Sequence, residues 1–412
     1  MLDIRLIRSD PDGVKQALAR RGDVAGDAID SVLALDQRWR GLTTELEELR
    51  AEQNRASKGL QGAPTPEQRE RMAALAARGR ELTDVETSVR SDLDQLLLGL
   101  PNPPSPDAPP ADTVLREVGA AGREGLDHLA LAGSMIDMEH GAALSGSRFV
   151  VLRGQLVLLE LALVRYVMEK LVGEGFEPVI PPVLVRERAL VGTGYLPDTE
   201  QQIYHLPADD LYLVGTSEVA LASLHRDEII DADQLPLRYA GFSPCFRREA
   251  GAAGKDTRGM FRVHQFDKVE MFAFVEPDKS AEEHQRILAI EESILTDLEI
   301  PYRVVAIAVD DLGASAAFKY DCEAWLPGQG QYRELTSCSN TTDFQARRLD
   351  IRYRGSDAKP ATLHTLNGTA TAVGRTLIAL LENGQQEDGS VVLPDALVKA
   401  GAPKTLVAPA AA

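Results

Sequence analysis

Apolar positions in the first hundred residues recur at helical spacing. Leu35, Trp39, Leu42, Leu46 and Leu49 alternate steps of four and three, a heptad seam that continues through polar Gln53 to Ala56. A second stripe runs through Met72, Leu75, Leu82, Val85, Val89, Leu93 and Leu96. Residues 59–66, with two glycines and two prolines, must turn the chain between them. Two long helices joined by so short a turn should pack antiparallel. At 1.5 Å per residue, a helix of about 28 residues makes an arm roughly 40 Å long. Pro101 to Asp112, PNPPSPDAPPAD, then reads as a stiff linker. Downstream, residues 153–172 predict an amphipathic helix, followed by the extended GFEPVIPPVLV. From residue 140, β-branched and aromatic strands alternate with a few helices, and hairpins such as 238–275 demand antiparallel pairing. The expectation is an α+β chain: an arm over 1–100, a linker over 101–112, a body over 113–402 and a disordered tail over 403–412.

The densest chemistry lies between Phe246 and Glu270, FRREAGAAGKDTRGMFRVHQFDKVE, which reads as strand, basic glycine-bearing loop, strand. Strand side chains alternate faces. Arg262, His264, Phe266, Lys268 and Glu270 should therefore share one face, with Phe261, Val263 and Val269 on the other. Arg247 and Glu249 should share a face of the first strand. Fixed cations, an aromatic plate and a carboxylate on one surface suit the gripping of phosphates, the stacking of a base and the reading of an amine. A purely structural hairpin would put solvent charges there instead. No GxGxxG follows a strand and no GxxxxGK[ST] occurs, so neither a dinucleotide fold nor a P-loop is indicated. An ATP user of this kind would hold phosphates with arginines on a sheet.

Composition narrows the choices. With 412 residues the chain suits about two domains. Its net charge of −19 argues against a general polyanion-binding surface, so neither DNA nor a membrane is an expected partner, and any RNA needs local basic patches. Cys245, Cys322 and Cys338 are scattered without zinc spacing, as expected of reduced buried thiols in the cytoplasm. The opening MLDIRLIRSD has no signal-type apolar region, and no apolar run of about 18 residues suggests a membrane span.

The 246–270 segment resembles motif 2 of the class II aminoacyl-tRNA synthetases, and its wording is similar to the bacterial type of seryl-tRNA synthetase. LVGTSEVAL around Thr216–Glu218, RELTSCSN from Arg333 to Asn340, and HTLNGTATAVGRTLIALLEN from His364 to Asn383 agree in order. The resemblance covers nearly the whole chain. It implies an antiparallel catalytic sheet flanked by helices, activation of L-serine by Mg·ATP to seryl-adenylate, and transfer to tRNA(Ser), with tRNA(Sec) served where it exists. It implies a homodimer joined through the 153–172 helix and the GFEPVIPPVLV segment, with Pro182 as the motif 1 proline.

Residue by residue, Arg247 resembles the arginine on the α-phosphate and substrate carboxylate. Phe266 resembles the plate under adenine, and Arg375 the arginine over it. These two arginines would be the catalytic pair. Arg248, Glu249, Val263, Leu335 and Thr336 complete the implied ATP site, with Glu249 accepting from the adenine amine. Glu334 and Ser337 resemble magnesium ligands, although three-residue spacing on a strand requires a bulge to bring both to one side. Thr216, Ser217, Glu218, Glu270 and Thr369 resemble the serine contacts. Thr369 stands where the family usually has serine, and Thr336 where ISSCSN is commoner; each keeps a hydroxyl. The small residues Gly368, Ala370, Ala372 and Gly374 also suit a helix packed closely on a sheet. Arg50, Arg55, Lys58, Arg69 and Arg71 crowd the arm's tip. Alone they describe an ordinary solvated coiled coil; beside this body they resemble the family's grip on the tRNA variable arm. His128, His205, His225 and His284 are read as structural, and His264 as non-catalytic. The rival readings are a homologue activating an amino acid for a carrier protein or small acceptor, and a non-enzymatic RNA-binding paralogue. The arm speaks against the first, Arg247 and Arg375 against the second.

Overall fold

The computed structural model describes residues 1–22, 26–59, 64–197, 202–250, 256, 258–355 and 359–408. The chain divides into two compact units, Met1–Pro103 and Pro104–Ala412.

In the first unit, α1 (Ile4–Ser9) and α2 (Pro11–Ala19) precede the long helices α3 (Gly26–Lys58) and α4 (Pro66–Gly99). Thr65 starts α4 with a reciprocal cap to Gln68 and a proline in the first turn. Residues 60–63 of the expected turn lie outside the described residues. Cross-helix contacts join Trp39 to Glu86, Glu45 to Arg78 and Glu52 to Arg71, so numbers rise on one helix as they fall on the other. The pair is antiparallel. Polar Gln53 is tolerated in the seam because its amide donates to the Leu75 carbonyl at 2.8 Å. At the base, Ile7, Val14 and Leu18 pack on Ile29, Val32, Leu93 and Leu97. Asp36 is buried there and binds Arg8 at 2.6 and 2.8 Å and Arg40 at 3.0 Å. Burial pushes its carboxyl up, but the two arginines outweigh that and hold it below the usual range.

The second unit is built on an eight-stranded sheet: β1 (Thr113–Val118), β2 (Glu177–Val179), β3 (Leu237–Phe246), β4 (Gln265–Val275), β5 (Tyr302–Ala306), β6 (Phe318–Leu326), β7 (Gln331–Thr342) and β8 (His364–Ala372). The spatial order is β1-β5-β6-β7-β8-β4-β3-β2. Every neighbouring pair is antiparallel except β2 with β3. Helices α5 (Gln155–Gly173), α6 (Ser280–Asp297) and α7 (Val373–Gly384) bury Leu159, Leu163, Ile287, Ile294, Leu377 and Leu381 against Val269, Met271 and Ala273 of β4. Period-two alternation leaves Phe266, Lys268 and Glu270 for the opposite face, which is a cavity wall.

Several sequence expectations change. β4 begins only at Gln265, and β3 ends at Phe246. Alternation therefore fails over 258–264, and Phe261 and Val263 face the same cavity as Arg262. Arg247 and Glu249 lie beyond the strand, with Glu249 at a positive φ of 51°. The division between the two units falls inside the stiff linker expected over 101–112, but from Ser105 onward that stretch is bonded to the body. Ser105 N donates to Ala317 O, Val309 N to Pro109 O, and Ala308 N to Asp112, so 105–112 packs on the body. The tail is ordered as far as it is described: Thr405–Leu406 pairs with Val391–Val392, and Leu406 is buried. Residues 409–412 lie outside the described residues. All three cysteines are free and buried. Among the described residues, no helix is long and apolar enough to cross a membrane.

Gly368 sits mid-sheet, opposite Met271 and Cys338. A Cβ there would lie 2.4 Å from the Ile287 side chain and 2.8 Å from Glu291 Oε1. Gly368→Ala should therefore cost about 1–3 kcal/mol through forced repacking. Gly374→Ala, whose added carbon meets nothing nearer than the Met260 carbonyl at 4.0 Å, should leave the melting midpoint unchanged or higher. Thermal melts of both variants check this; equal midpoints would contradict the close packing of α6 on β8.

Candidate active site

A cavity of about 590 Å³ opens on the sheet face away from α6, with polar walls from four strands and the loops between them. Its buried end holds two carboxylates. Glu218 opens the short helix Glu218–Ala222, and Glu270 lies on β4. Tyr195 donates its hydroxyl to Glu218 at 2.9 Å, and the Gln345 amide donates to the other oxygen at 2.7 Å. Glu270 pairs with Lys268, two residues along the same strand face, and accepts from Thr216 Oγ1 at 3.3 Å. The Asn367 amide spans the two acids, 3.4 Å from Glu218 and 3.1 Å from Glu270. Burial and the Glu270 charge push the Glu218 carboxyl above its ordinary range. Burial beside Glu218 likewise drives the Tyr195 phenol up. Two acids face one lysine, an arrangement that favours an added ammonium group.

The more open end is cationic and aromatic. Arg247 donates from Nε to the Gly215 carbonyl at 3.2 Å, and its guanidinium stands 5.4 Å from the Phe266 ring centre. Arg375 donates to the Glu334 carbonyl at 3.0 Å and carboxylate at 3.3 Å, and lies 4.6 Å from the ring centre of Phe261. Half-buried Arg375 thus has a protein carboxylate as partner, and the ring beneath it is one that alternation had placed on the far face. Arg262 pairs with Glu249, and both line the cavity.

A bulge resolves the spacing of Glu334 and Ser337. Cys322 faces Thr336 while Glu323 faces Glu334, which leaves Leu335 as the extra residue. Alternation shifts by one, and Glu334 and Ser337 both reach the cavity wall. Burial pushes the Glu334 carboxyl up, yet Arg375, Lys319 and Arg247 outweigh it and keep it ionised. Nearby, burial raises Asp321 to about 7 against the pull of Lys319 at 3.2 Å. Among the described residues no three His, Cys, Asp or Glu side chains cluster to hold a metal. One carboxylate and one hydroxyl nevertheless fit a magnesium ion that arrives on phosphates, since such ions take few protein ligands.

Arg247, Glu218, Glu249, Val263, Phe266, Glu270, Glu334, Leu335, Thr336, Ser337, Thr369 and Arg375 all border this cavity, Thr369 directly opposite Glu270 in the sheet register. Three others do not line it. Thr216 stands behind, bonded to Glu270; Ser217 donates to the Gly241 carbonyl at 3.2 Å; Arg248 lies 6.0 Å from the Tyr204 ring centre. The Thr336 hydroxyl points away from the cavity's polar groups, donating to Glu291 at 2.8 Å. Sequence reasoning missed Tyr195, Lys319, Gln345 and Asn367. Asn367 was within reach, two residues before Thr369 on a strand; Tyr195, Lys319 and Gln345 come from distant segments and carried no local signal. His225 and His284 are held by Tyr239 and Glu228 and by the Cys338 carbonyl, and His205 stacks on Tyr212.

The comparisons with known proteins match this geometry. Residues 204–384 match the model of the tRNA synthetase class II core domain (G, H, P, S and T), and residues 1–104 that of the seryl-tRNA synthetase N-terminal domain. A serine–tRNA ligase of Thermobifida fusca is 50% identical over 410 residues, covering 96% of each chain. The chain belongs to the seryl-tRNA synthetase family. A seryl-tRNA synthetase from Pyrococcus horikoshii, solved as a complex with ATP, superposes with a TM-score of 0.93 at 41% identity, over 99% of this chain and 100% of that one. A cytoplasmic serine–tRNA ligase from Naegleria fowleri, solved with AMP, gives 0.87 at 31% identity over 99% of each. The class II fold expected from the motifs is the fold observed.

Arg375→Lys isolates what the guanidinium does in this synthetase. Lysine keeps the charge and loses the planar group that donates to Glu334 and stacks on Phe261. The KM for ATP in serine-dependent pyrophosphate exchange should rise at least tenfold with little change in melting midpoint. A lysine variant with normal ATP use would contradict the role of the planar group.

Proposed function

We propose that the chain is a cytoplasmic serine–tRNA ligase that forms seryl-adenylate from L-serine and ATP and passes the seryl group to tRNA(Ser), and to tRNA(Sec) where that tRNA occurs. The observation that carries this reading is the buried Glu218–Glu270 pair beside an arginine-lined cleft. The acids take the serine ammonium and hydroxyl, with Lys268, Asn367, Tyr195 and Thr216 fixing their orientation. Thr369 closes the pocket opposite Glu270.

Adenylate formation is an in-line attack of the serine carboxylate on the α-phosphate, expelling pyrophosphate. Such a step calls for positioning and charge stabilisation rather than a protein nucleophile. Arg247, tied to Gly215 and backed by Phe266, holds the two reacting anions together. Phe266 and Arg375 take the adenine between ring and guanidinium, Glu249 reads its amine, and Arg375 meets the leaving phosphates. Glu334 and Ser337 would hold magnesium, which neutralises phosphate charge when bound. Val263, Leu335 and Thr336 shape the nucleotide wall, while Arg248 lies beyond it and Ser217 supports the floor.

Arg50, Arg55, Lys58, Arg69 and Arg71 are the proposed tRNA contacts. All five are exposed, and Arg71 pairs with Glu52 at 2.9 Å. Homodimerisation is supported by Val157, Leu158 and Leu161, which expose apolar side chains on one face of α5, and by Ile180 just after β2.

Glu270→Gln tests the serine pocket. Losing a charged hydrogen bond and leaving Lys268 buried without its partner should weaken serine by about 1.5–3 kcal/mol, or roughly 10- to 150-fold, in equilibrium binding. ATP affinity should stay within about threefold. Serine affinity equal to the parent's would remove Glu270 from the pocket.

Charging of total tRNA tests the arm. Reversing Arg55 and Arg69 to glutamate should cut aminoacylation kcat/KM at least tenfold and flatten its dependence on salt. Serine-dependent pyrophosphate exchange should persist at the parent rate. Undiminished charging would show that the arm is not the RNA grip.

A further inference from the structure

His128 was predicted to be a structural residue, and its surroundings are more specific than that. The imidazole is buried in the helix His128–Ala132, with hydrogen bonds at both ring nitrogens. Nδ1 lies 3.0 Å from Glu382 Oε1, which also accepts from the His128 main-chain N at 3.1 Å. Nε2 lies 3.3 Å from Met260 N. A main-chain N–H can only donate, so Nε2 must be the bare acceptor and Nδ1 must carry the proton toward Glu382. The second Glu382 oxygen accepts from Gly328 N at 2.9 Å. Every part of this buried pair is answered, and one end of it is the segment that enters the cleft.

That segment is held twice by one helix. Arg375, in the first turn of α7, stacks on Phe261 and donates to the Phe261 carbonyl at 3.4 Å. Glu382 lies seven residues later, two turns along the same helix face, and reaches Met260 through His128. Gly259, immediately before, has a φ of +77° and passes so close that a Cβ there would lie 2.3 Å from His128 Nε2. Met260, Phe261, Arg262 and Val263 all line the cavity. We infer that His128 and Glu382 are positioning residues for the nucleotide half of the site: they pin Met260, and so set the placement of Phe261 and Arg262 against Arg375 and Glu249.

The inference rests on reading this half of the cleft as the place of ATP. The parent enzyme's requirement for ATP in serine-dependent exchange tests that reading; the pattern among variants tests this one. His128→Gln can place an amide oxygen near the Nε2 position and keep the bond to Met260. His128→Asn reaches only the Nδ1 position, and so keeps Glu382 while releasing Met260. His128→Asn should raise the KM for ATP at least tenfold with the KM for serine within twofold. His128→Gln should stay within about threefold of the parent for both substrates. An asparagine variant that uses ATP as well as the glutamine variant, or a rise in both KM values in step with a lower melting midpoint, would reduce His128 to a core contact. Gly259→Ala tests the same link with both residues of the buried pair left in place. Its Cβ must push the segment off His128, so the KM for ATP should rise at least fivefold while that for serine holds. An unchanged KM for ATP in Gly259→Ala would overturn the inference.

Discussion

Glu218 and Glu270 bring two carboxylates close together where water scarcely reaches, and a buried charge is tolerable only when its surroundings answer it. The answering groups are Lys268, Asn367, Thr216, Tyr195 and Gln345, which come from strands β4 and β8 and from three separate loop or helix segments. Much of the fold is needed to assemble them. The antiparallel register of β4 between β3 and β8 sets Glu270 against Gly241 on one side and Thr369 on the other. Glycine at 241 leaves room for Leu221 and Ser217, whose helix carries Glu218. The serine ammonium proposed to enter between the acids would complete a balance that the protein alone leaves tilted toward negative charge.

The nucleotide half is organised by a different economy. Its arginines are held by carbonyls and aromatic faces: Arg247 by Gly215 and Phe266, Arg375 by Phe261 and Glu334. Guanidinium groups fixed in this way keep donors available for phosphate oxygens and need little reorganisation when charge develops. The two halves meet at β4, where Phe266 and Glu270 share a strand face four residues apart, so one rigid element would set the distance between base and amino acid in the proposed complex.

The motif order and helical periodicity made the arm, the antiparallel sheet and much of the cavity wall legible from the sequence. What failed did so where local periodicity stops governing the chain. Phe261 was assigned to the wrong face because alternation was extended four residues beyond the true start of the strand. The serine-side partners Tyr195 and Gln345 were invisible because only tertiary contact brings them near Glu218. Proline content suggested a stiff linker over 101–112, yet hydrogen bonds at Ser105, Pro109 and the Asp112 side chain tie 105–112 to the body. The small, proline-containing tail carries Leu406, which is buried where Thr405–Leu406 pairs with Val391–Val392. The Glu334–Ser337 spacing is the opposite case: the sequence demanded a bulge, and the β6–β7 register contains one.

The central claim is that the buried acids read the hydroxyl of serine as well as its ammonium. The most direct measurement is the ratio of kcat/KM for serine to that for alanine in ATP–pyrophosphate exchange with the intact protein. A site built to bond a hydroxyl rejects the analogue that lacks it by about 10⁴ or more, because its own polar groups are left unpaired. The account predicts a ratio of that order. A ratio near ten, as expected of a pocket that senses only size, would contradict it.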